Sequence, residues 1–441
     1  MMRSMLGAVC TLRRNEFSFK RNSKPFCILH EIENTSLPPS RGEFRARSLF
    51  GKLQSRFGFE RNVLAASSIM FFLGLGEELW KKFLPKYLEA LGASVSTIGL
   101  FGTANDFLDA LYQYPGGWIA DRFGRRRAFL FFIILAMIGY GIYLFSPSWP
   151  FIFLGLLFAM AWQSMASPAI FAIIGDALPK QKRALGFTVQ AILKRVPIIV
   201  APIAGGVLIA KLGIFTGMQL GLLATLLFAA IALFFAHTIA IPIISDGQAS
   251  NIRSVWRSFH AALKRLLVSD IVIRTCEGMA GVFIVLYVTN VIGISLAQYG
   301  LLIAVQVAAS ILVYIPAAKL ADRVGRKPVV IATFFCFALF PITIILASSF
   351  TALVFAFIIG GLREIGEPAR KAMIVDFAEP HLRGRTVGLY YLIRSLTITP
   401  AAALGGWLWE IKPEATFLIA GVIGMMGSLL FAMTVSERYA S

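Results

Sequence analysis

Charge is scarce in this chain. Acidic and basic side chains make up 15 % of its 441 residues and 57 % are hydrophobic, against roughly 25 % charged in an ordinary soluble domain. Histidine and cysteine are scarcer still, four of each, which leaves little material for metal clusters. Cys10, Cys27, Cys276 and Cys336 show no C-x-x-C spacing, so neither a metal site nor a disulfide framework is expected. Also missing are a G-x-G-x-x-G fingerprint, a P-loop with its lysine, an H-E-x-x-H pair and any nucleophile–base pair. These gaps argue against an enzyme, against ATP-driven pumping by this chain itself, and against any cofactor.

What the sequence has in quantity is long apolar runs. A helix needs about 20 apolar residues to cross roughly 30 Å of hydrocarbon. Runs of that kind lie near 64–88, 96–120, 127–146, 149–175, 184–210 and 215–240, then 268–292, 296–318, 328–347, 350–373, 386–409 and 414–435. Barrel strands of about 10 alternating residues do not account for them. The expected fold class is an all-α polytopic membrane protein with twelve transmembrane helices.

The formal net charge is +19, but its distribution speaks for orientation and not for a nucleic-acid partner. With both ends inside, the even-numbered connections are 121–127, 176–183, the 241–267 linker, 319–327 and Arg370 to Arg385, each net positive. The connections after runs three, seven and nine carry no charge, and the one after run five carries only Lys211. The first outward loop fits less well, with Lys81, Lys82 and Lys86 against Glu89. By the positive-inside rule both termini are expected in the cytoplasm and the membrane is read as the plasma, or inner, membrane. Some basic groups also meet anionic headgroups, so membrane lipids are expected partners. Residues 1–60 are basic and broken by "SLPPS" at 36–40, and read as a poorly ordered cytoplasmic tail. Within it, 47–59 sets Leu49, Phe50, Leu53 and Phe57 beside Arg47, Lys52 and Arg56, a pattern suited to lying on a membrane surface.

The chain repeats itself. "GWIADRFGRRR" at 117–127 returns 201 positions later as "AKLADRVGRKP" at 318–328. "SPAIFAIIGD" at 167–176 meets "EPARKAMIVD" at 367–376, and the glycine pair ending at Gly206 meets the pair ending at Gly406. Offsets this constant predict two pseudo-symmetric six-helix bundles, 61–240 and 267–436, joined by a linker at 241–266. An even number of spans per bundle gives both the same orientation and a pseudo-two-fold axis along the membrane normal.

The repeated string resembles the signature of the major facilitator superfamily of transporters. It comprises Gly117, Asp121, Arg122, Gly124, Arg125 and Arg126 in the first copy. In the second it comprises Asp322, Arg323, Gly325 and Arg326, with Ala318 where the leading glycine would stand. The resemblance covers nearly all of 60–436. It implies alternating access, with each copy acting as a cytoplasmic clasp when the protein faces outward. An aspartate there can accept from the amino end of a neighbouring helix, and the arginines can pair with carboxylates and lipid phosphates. Setting topology alone is the competing use of the arginines.

Ionisable residues at membrane depth cost several kcal/mol unless they face a cavity or a partner. Glu77 and Glu78 in run one, and Asp106 and Asp109 in run two, are the proton-coupling candidates, because a carboxylate in a half-wet cavity can load and release a proton. Candidates for the substrate cavity are Gln113, Gln163, Lys194, Arg274, Glu277, Arg363, Glu367, Tyr390 and Arg394. Lys194 and Arg394 are counterparts 200 residues apart, and such a pair favours an anionic or zwitterionic ligand. The pairs Arg274–Glu277 and Arg363–Glu367 have an alternative use, neutralising each other to hold helices together. Trp118 and Trp407, near helix ends, read as interfacial anchors.

Direction of transport stays open at this level. "VAPIAGG" at 200–206 resembles the end of a motif of proton-coupled antiporters in the superfamily at Pro202, Gly205 and Gly206, with Ala201 and Pro197 departing from it. The same residues also suit a plain helix-packing patch. The reading favoured is proton-coupled efflux of a small organic solute, as in drug and solute antiporters, by a monomer. The alternatives are uptake or exchange of an organic anion or zwitterion, and a non-transporting receptor, assembly or lipid-handling protein.

Overall fold

The computed structural model describes residues 61–166, 180–238, 252–377 and 383–435, and every element among them is helical. The basic segment 1–60 and the 167–176 copy of the second repeat lie outside the described residues, as do the side chains of Gln113, Gly117, Asp121, Arg125 and Asp322.

Each apolar run becomes a helix. In the first half these are α1 (Arg61–Glu78, continued by Leu84–Ala90), α2 (Val95–Phe123), α3 (Arg125–Leu144), α4 (Trp149–Met160), α5 (Lys180–Leu212) and α6 (Ile214–His237). A short helix, Ile252–Arg257, precedes the second half. There follow α7 (Ala261–Gly281, continued by Ile284–Leu286), α8 (Leu296–Val324) and α9 (Arg326–Leu346). The last three are α10 (Phe350–Leu362 and Glu367–Asp376), α11 (Arg383–Ile398 and Ala401–Ile411) and α12 (Pro413–Thr434). The start of α7 reaches into the stretch read as linker because His260 caps it, accepting from the Ala262 amide at 3.3 Å.

Seven of these helices are long and apolar enough to cross a membrane, and α7 makes an eighth if its 40° bend is one broken span. The others are those the intramembrane polar residues interrupt or dilute. α1 ends at Glu77 and Glu78, α2 carries Asp106 and Asp109, α4 loosens into a π turn at Ala161–Met165 around Gln163, and α10 breaks between Leu362 and Glu367. Wide turns and breaks of this kind free backbone groups, and inside a bilayer they persist only where other protein groups satisfy them. At the α10 break, Gly366 N–H donates to Thr333 Oγ1 at 2.5 Å. Phe234, Leu312 and Met433, each at least 70 % exposed, belong to an outward apolar surface suited to lipid.

The two halves meet tightly at the end opposite the D-R-x-G-R strings, along two seams related by the internal repeat. In one, α2 lies on α11: a Cβ placed on Gly99 would stand 2.7 Å from Ala402 O. In the other, α8 lies on α5: a Cβ on Gly300 would stand 2.2 Å from Pro202 O. Gly99 and Gly300 are 201 positions apart, and Pro202 and Ala402 are 200 apart. Gly206, from "VAPIAGG", faces Leu296 O across the second seam, while Gly205 lies on Leu79 O within its own half. The packing use of that motif is thus the one the geometry displays. Polar contacts finish the seal: Thr103 Oγ1 accepts from the Ala403 amide at 3.0 Å, Asn290 donates to Glu89 at 2.6 Å, and Ser96 donates to Glu410.

The strings themselves make turns. Gly124 joins α2 to α3 at φ 84°, ψ 143°, and Gly325 joins α8 to α9 at φ 91°, ψ 163°. Only glycine adopts that region without strain, which costs about 1–3 kcal/mol for other residues. Gly325→Ala is therefore expected to lose about that much stability, read as a lowered melting temperature of the purified protein, and Gly124→Ala to match it. Beyond the turns, Arg126 contacts His237 Nδ1 at 3.2 Å and Arg326 pairs with Asp376, each within its own half. Arg122 stacks over Trp118 at 5.0 Å.

Candidate functional site

Directly beneath the seal lies a cavity of about 210 Å³ between the halves. The first half supplies Glu77, Trp80, Lys81, Asp106 and Gln163, and the second supplies Val282, Val285 and Tyr299. Acidic, basic and aromatic groups thus face one small apolar-walled space.

Around Glu77 the first half builds a hydrogen-bonded chain from three helices. Glu77 is buried and accepts from Tyr140 of α3 and from Gln163 Nε2 of the α4 π turn, the latter at 2.5 Å. Lys81 Nζ donates to the other end of that amide, Gln163 Oε1, at 2.6 Å. The π turn is what aims Gln163 between Glu77 and Lys81, since an extra residue per turn rotates its side chain relative to a regular helix. Trp80 donates to Thr225 Oγ1 at 3.0 Å and packs edge-on against Tyr143 at 5.5 Å, closing the wall behind the carboxylate. Asp106 faces the cavity with Asn105 at 3.4 Å, and across the interface its Oδ2 lies against Gly278 of α7. One turn away Asp109 accepts from Ser164 at 2.6 Å.

The second half gathers a larger ionic network around Asp270, which is fully buried. Arg370, 1 % exposed, pairs with Asp270 and with Glu367, the latter at 2.7 Å. Tyr390 donates to Asp270 at 3.0 Å, and Arg394 approaches it at 3.5 Å. Arg274 bridges Glu277 at 2.6 Å and Glu367 at 3.1 Å, and Arg363 reaches Glu277 at 3.5 Å. Phe337 lies under both Arg274 and Arg363, at 5.0 and 5.1 Å. With Lys371 on Glu367 at 3.4 Å, five cations share three carboxylates. Three helices, α7, α10 and α11, are tied together by it.

The sequence candidates therefore divide. Glu77, Asp106 and Gln163 line the cavity. Glu78 does not, and its Oε2 is buried without a hydrogen-bond partner among the described residues. Arg274, Glu277, Arg363, Glu367 and Arg394 come together, but in the ionic network rather than on the cavity wall. Tyr390, expected on that wall, is fully buried in the second half's core because its hydroxyl serves Asp270. Arg274 and Glu277 pair as expected, whereas Arg363 and Glu367 find other partners because the α10 break separates them. Lys194 is exposed, with Lys81, Glu78 and Lys371 as its charged neighbours, while Arg394 is drawn to Asp270. The two counterparts thus differ in surroundings.

Three residues of these two clusters escape a reading of the sequence. Asp270 had a signal, its i, i+4 spacing to Arg274, but sits at the edge of its apolar run. Lys81 reads as a loop charge, and Tyr140 as one more aromatic in an apolar run.

The family model of the Major Facilitator Superfamily matches residues 67–274 and again 266–441. The chain belongs to this superfamily. It is a transporter of that fold and not an enzyme. Among superfamily relatives, the chain is 22 % identical over 389 residues to the uncharacterized MFS-type transporter MJ1317 of Methanocaldococcus jannaschii, covering 84 % of this chain and 94 % of that one. It is 29 % identical over 244 residues to the multi-drug resistance efflux pump PmrA homolog of Lactococcus lactis, covering 52 % and 58 %. Among solved superfamily-like structures, a POT family transporter in complex with 5-aminolevulinic acid superposes with a TM-score of 0.72 at 14 % identity, covering 87 % of this chain and 98 % of that one. At that identity the likeness is one of fold.

Proposed function

We propose that this superfamily member is a secondary active transporter that exports a small organic solute in exchange for protons by alternating access. The observation that carries the reading is Glu77, buried at the cavity and held by Tyr140 and Gln163. A carboxylic group between a hydroxyl and an amide keeps hydrogen-bond partners whether or not it holds a proton, since both neighbours can donate or accept. Lys81, bonded to the far side of Gln163, can then follow the charge. Solute and proton compete for this one space, and the outer seal described above opens as the other end closes around the D-R-x-G-R turns. Export is favoured by the likeness to an efflux pump homologue. The working form is a monomer in the plasma membrane with both termini in the cytoplasm. One proton charge crossing 100 mV supplies about 2.3 kcal/mol, enough for roughly 50-fold accumulation.

A cavity of about 210 Å³ falls below the ~300–1,000 Å³ usual for drug-sized ligands, which points to a compact solute. Candidate solutes are found by thermal shift, because a ligand of the native state must raise its stability. In proteoliposomes an imposed pH gradient is then expected to drive that solute uphill. Glu77→Gln is expected to abolish the uphill component while solute binding and counterflow persist. Full gradient-driven accumulation by Glu77→Gln would remove the residue from the coupling.

A second reading, exchange of an organic anion or zwitterion, rests on the surplus of cations. Lys194 has both Lys81 and Lys371 among its charged neighbours, with Glu77 and Glu78, and Lys371 belongs to a network in which cations outnumber carboxylates; such a field attracts a negative group.

A further inference from the structure

The carboxylate at the transport cavity has a counterpart in the other half. Glu277 stands 200 positions after Glu77, and the register holds beyond them, with Phe83 matched by Phe283 and Tyr87 by Tyr287. Those four aromatics are all buried, at 3 % exposure or less. Each glutamate lies near the end of the first piece of its helix, α1 ending there at Glu78 and α7 at Gly281. Each also takes a partner from a place where another helix departs from regular winding. For Glu77 this is Gln163 in the π turn of α4, and for Glu277 it is Arg363 at the break of α10, again 200 positions apart. The duplication thus produced one site twice.

The partners differ in kind. Glu77 Oε1 accepts from Tyr140, and its Oε2 accepts from Gln163 at 2.5 Å. Glu277 Oε2 accepts from Arg274 at 2.6 Å, and its Oε1 faces Arg363 at 3.5 Å. Where the second half has Arg274 the first has Gly74, and where the first has Tyr140 the second has Phe340, lying under Arg363 at 4.7 Å. The Tyr140 hydroxyl can turn and accept, so a proton on Glu77 finds an acceptor without rearranging the site. A guanidinium carries five donors and no acceptor. A proton on Glu277 would therefore break a charge-assisted bond and point at a group unable to receive it.

The wider surroundings keep the distinction. Around Glu77 the other titratable groups among the described residues are Glu78, Lys81, Tyr143 and Lys194, with Lys81 bonded to the far end of Gln163. Around Glu277 they are Asp106, Cys276 and Glu367, and Glu367 is itself bridged by Arg274 and Arg370.

We infer that the halves have divided the roles of this duplicated site: Glu77 exchanges a proton, while Glu277 is a fixed anion that Arg274 and Arg363 bar from doing so. The inference rests on the proton-coupled reading of Glu77 given above, and adds that the α10 arginine decides which half titrates. As a fixed anion Glu277 ties α7 to α10.

The test is infrared difference spectroscopy of the purified full-length protein, titrated with protons alone. The range runs from about pH 9 to about pH 5, above the ~4 at which ordinary carboxylates protonate. The readout is the carbonyl stretch of a protonated carboxyl. Glu77→Gln is expected to remove one such band from the wild-type spectrum, and Glu277→Gln to remove none. Arg274→Gly, Phe340→Tyr and Arg363→Gln together give the second half the residues of the first. That variant should add a band of similar size, which Glu277→Gln then removes. The converse exchange, Gln163→Arg, leaves the ionic network intact and should extinguish the Glu77 band. Thermal unfolding shows which variants keep the fold. The division of roles is overturned, with the transport reading left standing, by a band lost in Glu277→Gln alone. A Glu77 band that survives Gln163→Arg, or no added band in a folded triple variant, has the same consequence. Absence of any Glu77 band in the wild type would overturn both.

Discussion

Asp270→Asn is expected to destabilise the protein by about 3–5 kcal/mol, the cost of stranding a buried charge by removing its partner. Asp270 is fully buried, pairs with Arg370, and lies within 4 Å of Arg274 and Arg394. Asparagine keeps the shape and removes only the charge, leaving the five cations of the network with two carboxylates, Glu277 and Glu367. The stranded cation is Arg370, whose side chain is 2 % exposed, so water does little to relieve it. Thermal unfolding of the purified protein measures the loss. Adding Arg370→Gln to the variant removes the stranded cation, so the double variant is expected to be more stable than the sum of the single losses predicts. Additive losses would show that the two side chains do not act as a pair.

Gly300→Leu is expected to open the seal at the end opposite the D-R-x-G-R turns. A Cβ at Gly300 would meet Pro202 O at 2.2 Å, and that oxygen is backbone, unable to rotate away. Overpacking of this kind costs about 1–3 kcal/mol. Here the cost falls only on the state in which α5 and α8 touch, so it shifts the population of sealed molecules by about 5–150-fold. The prediction is that single cysteines at Phe101 and Val285, buried on the cavity wall beneath the seal, become more reactive to a membrane-impermeant thiol reagent in the variant. Solute binding is retained while transport falls. Gly99→Leu acts on the sister seam, where the facing backbone oxygen is Ala402 O at 2.7 Å, and should do the same. If the thiols stay protected in both variants, the seams do not gate access. By contrast, losing the Lys86–Glu89 pair at the rim should cost at most about 1 kcal/mol, because both side chains are partly exposed to solvent.

Much of this was legible in the chain itself. The twelve runs, the 200-residue echo and the paired D-R-x-G-R strings lead directly to a superfamily of twelve-helix transporters. Glu77, Asp106 and Gln163 stood out because a polar side chain inside an apolar run needs a reason to be there. Other residues were harder to place. Arg363 and Glu367 share a face only if α10 is continuous, and the break at Gly366 depends on a hydroxyl from α9. Tyr390 looked like a cavity aromatic, yet its partner Asp270 lies 120 residues earlier. No local pattern announces a contact of that range.

Composition and periodicity, then, determined the class of the protein, the number of its spans, its duplication and the short roster of intramembrane charges. They could do so because each of these is a property of one segment against lipid. Only the tertiary structure decided which charges face the cavity and which neutralise one another. It also decided that the glycines of "VAPIAGG" belong to a seam between the halves and to packing beside it. Those outcomes depend on how helices from distant parts of the chain meet, and a buried charge or a bare glycine takes its meaning from what lies opposite it.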